Sequence, residues 1–575
     1  MSQEKPAEAG TACRGLFVGE LQDETFYPFP EQEPDEQEKA DLTVDAFRDW
    51  AKDNLDPVQI DREQEIPAAV REALGELGIL GMTIPEEYGG YGFGTTSYCR
   101  VMEEITRTDA SLSVFTGAHL SIGAKPIVLF GSEEMKKKWL PQVASGETLC
   151  AFALTEPGAG SDAGSLRTRA EWDAAAGKFR LNGNKIWITN GGYAKVFSVF
   201  ARATGGPLGD NEGITAFLVE RGEPGFTNGP SEHKLGIRGS STTELAFQDV
   251  MLGEERIIGT PGDGFRMATK SLETGRLSLG AGCTGAAKEL IRLASRHARE
   301  RAQFRRPIIE FGMIREKLGR MTSNTYGAES MVYLTAGLLD RGGVDVSLEA
   351  GYCKVYGSEN LWQTVNDAVQ IAGGIGYMIE YPYERHLRDS RINMIFEGTN
   401  EILRLAGTLE GLKEPGRRAT EALRAAKSEL ANDVVTAVTE GTIVDPVVPK
   451  WVPAALAAQG EAFAATLGAF SRKVEKTMRR HRRAILGQEF TIRRIADAAM
   501  RLYAMGACLS RASTRVAARG AENAARDILL CSRFIEEGRL IVLRELEDLE
   551  TLRDRLDDDI ADLLREEGRY PAPLF

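Results

Sequence analysis

The sequence has 575 residues, with 84 acidic and 70 basic side chains and a formal net charge of −14. That balance, with 42% hydrophobic and 27% charged residues, excludes disorder as the dominant state and makes nucleic acid and anionic lipid poor partners for the chain as a whole. The length sets a prior of about four packing units. Cys13, Cys99, Cys150, Cys283, Cys353, Cys508 and Cys531 form no CxxC pair, no zinc spacing and no dense disulfide framework, which fits a reducing compartment. No apolar run reaches membrane-spanning length, and MSQEKPAEAGTACRG lacks the apolar core of a secretion signal, so neither a span nor a signal is expected.

Residues 1 to about 45, including YPFPEQEPDEQEKAD, read as an extended arm entering a helix near Thr43. From 46 to 148, segments such as DAFRDWAKDNL and TSYCRVMEEITRT repeat apolar residues at three- and four-residue intervals, the helical period. Between 149 and 264 the pattern changes to short β-branched or aromatic runs (LCAFALT, KFRLNGNKIWITN, KVFSVFARA, GITAFLVER) separated by Gly, Asn, Asp and Pro, which is a β unit. Helical periodicity returns over 265–410 and again over 411–575, where TIVDPVVPKWVP at 442–453 reads as a connector.

Several motifs have plainer readings. Gly280-Ala-Gly282-Cys-Thr-Gly285 matches GxGxxG, but no βαβ unit surrounds it, and small residues allowing close helix packing explain it. The basic run SRKVEKTMRRHRR is read as a solvated or dimer-facing helix surface with Val474, Met478 and Ile485 turned inward. The five histidines show no metal-ligand spacing, and no GxSxG nucleophile elbow is present. No metal is expected.

Two segments carry chemistry. Leu154-Thr-Glu-Pro-Gly-Ala-Gly-Ser-Asp162 leaves a strand for a Gly-rich turn with hydroxyls at Thr155 and Ser161; its glycines let a ligand approach backbone N–H groups. Lys185-Ile-Trp-Ile-Thr-Asn-Gly-Gly192 sets Trp187 and Thr189 on one side of a strand before a double-Gly turn. These two segments, with Arg301-Ala-Gln-Phe304, Gln370-Ile-Ala-Gly-Gly374 and Arg391-Ile-Asn-Met-Ile-Phe-Glu-Gly-Thr-Asn400, resemble the acyl-CoA dehydrogenases in order and spacing over residues 45 to 407. The C-terminal helical unit, with LYAMGACLSRAS, looks like the very-long-chain branch of that family.

The resemblance implies an α+β multidomain protein with the acyl-CoA dehydrogenase fold. Its parts are an extended arm (1–45), an N-terminal α-helical domain (46–148), a middle β-barrel-like domain (149–264), a C-terminal four-helix bundle carrying the base (265–410) and an extra C-terminal helical domain (411–575). It also implies bound FAD. Thr155 and Ser161 would bond the flavin edge, Trp187 would pack on the isoalloxazine and Thr189 would contact its rim. Arg301, Gln303 and Phe304 of a partner subunit would meet the adenine and pyrophosphate, where a guanidinium fork suits two oxygens. Gln370, Gly373 and Gly374 would reach the same dinucleotide, with Thr399 and Glu401 closing over it. Arg305 stands where the family usually has Gly.

Glu397 is the implied catalytic base. Removing an α-proton from a thioester needs a carboxylate whose pKa is raised by an apolar, desolvated pocket, and Met394, Ile395 and Phe396 supply apolar neighbours. Some relatives carry the base just before the arginine of LETGRLSLG; here that position is Gly275, which leaves Glu397. Ser161, Phe396 and Arg276 are the implied substrate contacts. Ser111 and Ser113 would permit a deep acyl channel, whereas Phe115 would shorten it.

The implied activity is oxidation of long or very-long-chain acyl-CoA to the trans-2-enoyl-CoA in fatty acid β-oxidation by a homodimer. Electrons would pass to an electron-transfer flavoprotein. A dehydrogenase-like assembly scaffold and an acyl-CoA oxidase using oxygen are the alternatives. The location implied is cytoplasmic, or mitochondrial if the source is eukaryotic, with at most weak peripheral contact at an inner membrane through the charged amphipathic stretch 411–460.

Overall fold

A computed structural model describes residues 11–209, 211–418 and 446–572. They fall into two compact units, one formed by Pro30–Asn400 and the other by the segment up to Phe29 together with Glu401 onward. The division between these compact units falls at Asn400/Glu401.

The first unit opens with helix Pro34–Asn54, so the segment read as an extended arm is helical from Pro34. The reason is legible in retrospect: Pro34 occupies the first turn and Asp35 and Glu36 sit at the positive end of the helix dipole. Helices Thr95–Thr108 and Ala110–Gly117 follow, the latter running into a π-helical turn at Ala118–Ala124. The middle region is a mixed sheet of strands β1 (Cys150–Ala153), β2 (Arg169–Asp173), β3 (Lys178–Thr189), β4 (Val196–Thr204), β5 (Glu212–Glu220), β6 (Phe226–Ser231), β7 (Thr242–Leu252) and β8 (Ile257–Ile258). Its path is β6-β7-β3-β2-β4-β5-β8, with β1 parallel to β4.

Helices and sheet share a core. Phe197 and Val199 of β4 face the sheet's own apolar cluster with Phe179 and Phe217. Val196 and Phe200 face a cluster continuous with Phe47, Leu112 and Leu140 of the helices. Burial on both faces is why KVFSVFARA lacks the alternation of a half-exposed strand.

Beyond the sheet, helices Gly264–Glu300, Gly312–Arg341 and Ser347–Ala372 form the bundle. The GxGxxG stretch lies in the middle of the first of these. A side chain at Gly285 would come within 2.1 Å of the Glu103 carbonyl oxygen, and one at Gly282 within 2.5 Å of Thr106 Oγ1. The glycines thus let this helix lie directly against Thr95–Thr108.

The second unit is helical, built on Ala457–His481, Glu489–Asn523 and Ala525–Glu547. Val474 and Ile485 are buried in it. The N-terminal segment is part of its core: Phe17 meets Phe470 edge-on at 5.5 Å, Phe26 meets Tyr503 at 6.0 Å, and Tyr27 stacks on Trp451 at 5.3 Å. The Phe29 N–H donates to Thr514 Oγ1 at 2.9 Å. Phe26 is fully buried, so Phe26→Ala removes aromatic contact area and leaves a cavity, a loss of about 3 kcal/mol. Denaturant unfolding followed through the transition of this helical unit measures it; a loss below about 1 kcal/mol contradicts the assignment of residues 11–29 to this core.

Candidate active site

A cavity of about 80 Å³ lies within the first unit and is lined by Glu397, Phe396, Gly275, Ser278, Gly282, Met102, Thr106, Ser113, Gly117 and Thr189, among others. Glu397 stands in a turn after the 3₁₀ segment Arg391–Met394. Its backbone is left-handed, φ 59°, and Gly398 follows at φ 92°. Two cations hold this strained turn. Arg276 Nε donates to the Glu397 carbonyl at 3.1 Å, and buried Lys354 Nζ donates to the Gly398 carbonyl and to Asn400 Oδ1, both at 2.8 Å.

The carboxylate faces inward, and its Oε2 is buried with no hydrogen-bond partner. Burial pushes Glu397 up to about 7, against the opposing pull of Arg276 and then Lys354. A Cβ at Gly275 would lie 2.9 Å from Glu397 Oε2 and 3.1 Å from Ile122 Cγ2. The absent side chain at 275 is therefore the space the carboxylate occupies, and a buried carboxyl raised toward neutrality beside a cavity is a setting suited to general-base chemistry.

On the β side, Trp187 lies at a register shift between Lys185 and Ile188 with φ 56°, which turns its ring outward to 63% exposure. The Gly-rich turn runs beside it, with the Ile186 N–H donating to the Thr155 carbonyl at 3.0 Å. Side chains added at Gly158 or Gly160 would touch nothing within 4 Å. An uncovered indole beside an open glycine cradle fits a flat aromatic group such as a flavin.

The turn is anchored from below. Lys185, fully buried, donates to Glu156 Oε1 at 2.7 Å and to the Leu154 carbonyl at 3.0 Å. The Glu156 carboxylate also accepts the Arg167 N–H at 2.5 Å and the Thr168 N–H at 3.0 Å. One carboxylate thereby ties both ends of the loop that bears Thr155 and Ser161.

The structure separates the expected residues into groups. Glu397, Phe396 and Thr189 line the cavity, and Arg276 bonds the Glu397 backbone carbonyl. Thr155 is half-buried and Ser161 exposed in the Gly-rich turn. Arg301, Gln303 and Phe304 lie in or beside the two-stranded ribbon of β9 (Ala302–Gln303) and β10 (Arg306–Pro307), where Phe304 is 89% exposed. Phe304 and Arg305 both take left-handed backbone, the conformation that glycine at 305 would favour. Gln370, Gly373 and Gly374 lie exposed at and beyond the end of helix Ser347–Ala372. None of these six lines the cavity. Thr399 is half-buried, and Glu401 is exposed in the first turn of helix Asn400–Gly411.

Ser113 lines the channel, whereas Ser111 turns to accept the Gly239 N–H at 3.2 Å. Phe115 does not shorten the channel: it is fully buried outside it, edge-on to Tyr193 at 6.2 Å. Sequence reasoning missed Lys354 and the Glu156–Lys185 pair. The pair lies inside the two quoted motifs, but nothing in the spacing of 29 residues announces the contact.

Comparison with known proteins agrees with this geometry. The chain matches the acyl-CoA dehydrogenase N-terminal domain over residues 37–147, the middle domain over 151–250 and the C-terminal domain over 262–408. It also matches the ACAD9/ACADV C-terminal domain over 454–564. It is 38% identical to human mitochondrial very long-chain specific acyl-CoA dehydrogenase over 93% of this chain and 84% of that one. The crystal structure of an acyl-CoA dehydrogenase complexed with FAD from Bacillus anthracis superposes with a TM-score of 0.81 at 32% identity, covering 97% of this chain and 96% of that one. A chain from the structure reported for the electron transferring flavoprotein of Acidaminococcus fermentans gives 0.61 at 36% identity, over 66% of this chain and 98% of that one. The chain belongs to the acyl-CoA dehydrogenase family; it is an FAD-dependent oxidoreductase.

Removing one partner of a buried ion pair leaves the other uncompensated. Glu156→Gln should therefore loosen the Gly-rich turn and weaken FAD binding at least ~10-fold, read by titrating apoprotein with FAD; unchanged affinity contradicts the anchoring role.

Proposed function

We propose that this protein oxidises long or very-long-chain acyl-CoA to the trans-2-enoyl-CoA in fatty acid β-oxidation. Glu397 takes the α-proton, and the electrons leave to an electron-transfer flavoprotein. The observation that carries the reading is the buried, unpartnered Oε2 of Glu397 in a cavity that Thr189 of the Trp187 strand also lines. The chemistry that bound FAD supplies is acceptance of the hydride from the β-carbon. Thr155, Ser161, Trp187 and Thr189 would hold the flavin end. Phe396 and the glycine- and serine-lined wall exclude water around the acyl chain, so the base meets the α-carbon without competing solvent. The Glu397 N–H makes no hydrogen bond among the described residues and would be free to donate to the thioester oxygen as charge develops there. The preference for long chains rests on the named relative and on the match over 454–564.

A homodimer fits the remaining residues. Phe304, Met313, Tyr377 and Ile379 expose large apolar side chains on and near the ribbon and the Gly373–Gly374 turn, a surface suited to burial against a second copy that also receives Arg301, Gln303 and Gln370. The stretch offered for membrane contact lies largely outside the described residues. Among the described residues, Ala110–Phe130 is apolar enough to cross a membrane by length and composition, but most of it is buried in the core. We place the protein in the cytoplasm, or in the mitochondrion if the source is eukaryotic, with at most weak peripheral attachment.

Proton abstraction needs the ionised form of a group that titrates near 7. The rate of anaerobic flavin reduction by palmitoyl-CoA should thus rise with pH through about 7 and level off above. Glu397→Gln should keep FAD and lose reduction by a factor of about 10³ or more. A normal single-turnover rate in that variant refutes the assignment.

A further inference from the structure

The cavity has a direction that three elements define independently. Along helix Gly264–Glu300 its lining runs from Gly275 through Ser278 and Leu279 to Gly282 and Cys283, about 12 Å at 1.5 Å per residue. Along the helix ending at Gly117 and the π-helical turn after it, the lining runs from Ile122, which faces Gly275, back to Ser113 and Ala110. From the base the third lining runs back through Asn393 to Asp389. Asp389 interacts electrostatically with Asp109, the residue preceding Ala110. The second and third linings therefore place Asp389 at the end remote from Glu397.

Ile237 stands at that end. It lines the cavity, yet its backbone is left-handed at φ 46°, a genuine outlier for a β-branched side chain. The surroundings hold it there. Its N–H donates to Asp389 Oδ1 at 2.6 Å. A side chain at neighbouring Gly236 would run into the Arg388 backbone at 2.3 Å, and the Gly239 N–H is held by Ser111. Burial and then the neighbouring Asp109 push the Asp389 carboxyl up to about 7, so a costly buried acid is retained at this contact. Strain held in place by surrounding contacts marks a side chain whose position matters.

We propose that Ile237 is the end stop of the acyl channel and a specificity-determining residue that limits acyl chain length. This rests on the acyl-CoA reading. A chain reaching more than about 12 Å past Gly275 meets the Ile237 side chain and must displace it. Glycine at 237 removes the stop and also relieves the strain, since it adopts φ > 0 freely; alanine removes most of the stop and keeps the strain.

The test is a series of saturated acyl-CoAs from medium to very long chains, with kcat and KM measured for wild type, Ile237→Gly and Ile237→Ala. In both variants the ratio of kcat/KM for the longest chains to that for the shortest should rise at least ~10-fold, mainly through KM. Thermal melts should show Ile237→Gly folded. A chain-length profile unchanged in both folded variants overturns the proposal, and so does a profile changed by glycine alone, which assigns the effect to backbone freedom. If wild type is bleached by no acyl-CoA in the series, the acyl-CoA reading itself fails, a result distinct from either of these.

Discussion

The proposed chemistry depends on one electrostatic compromise: Glu397 would have to ionise near neutral pH with its inner oxygen buried and unpartnered. Moving a carboxyl from 4.5 to about 7 makes its charged form about 3 kcal/mol less favourable. Full burial without compensation would push it higher still. Arg276 and Lys354 limit the rise, and both also bond the backbone of the turn that presents the base. The same two side chains thus set the geometry and the basicity of Glu397, and neither bonds the carboxylate directly, which would quench it.

The cavity itself is a product of helix packing. Gly285 and Gly282 let helix Gly264–Glu300 approach Thr95–Thr108, and one and two turns earlier the same helix omits side chains or carries small ones at Ser278 and Gly275 where the channel opens. A stripe that reads as a packing device is continuous with the wall of the active site. At Gly275 the two roles meet, because the missing Cβ is what admits the carboxylate. On the opposite side the sheet contributes through strain and anchoring: the bulge at Trp187 exposes the ring, and the Glu156–Lys185 pair fixes the turn beside it.

Much of this was legible in the sequence because it is local. Helical and strand periods located the layers, and the family resemblance carried by the quoted motifs pointed to Glu397, Trp187 and Thr155 as candidates. The errors and omissions have a common cause in contacts between distant segments. Residues 11–29 look like an arm because their partners, Phe470, Tyr503 and Trp451, lie more than 400 positions away, and the proline-rich run at Pro34 conceals a helix start. Phe115 looks like an obstruction until its ring is seen against Tyr193. Lys354 sits in an ordinary amphipathic helix, and only its reach to Gly398 and Asn400 gives it a role. Ile237 gives no sign in sequence of its backbone conformation, which Asp389 imposes from another element.

The central claim is that the protein fold, by desolvation, tunes Glu397 to neutrality. The most direct measurement is the carboxyl titration itself: pH-dependent infrared difference spectra of FAD-loaded protein labelled with 13C-glutamate, wild type minus Glu397→Gln. The account predicts a single carboxyl band in the difference that titrates near 7 and that moves to higher pH when Lys354→Met removes a neighbouring cation. A band titrating near the ordinary 4.5, or one unmoved by Lys354→Met, contradicts it.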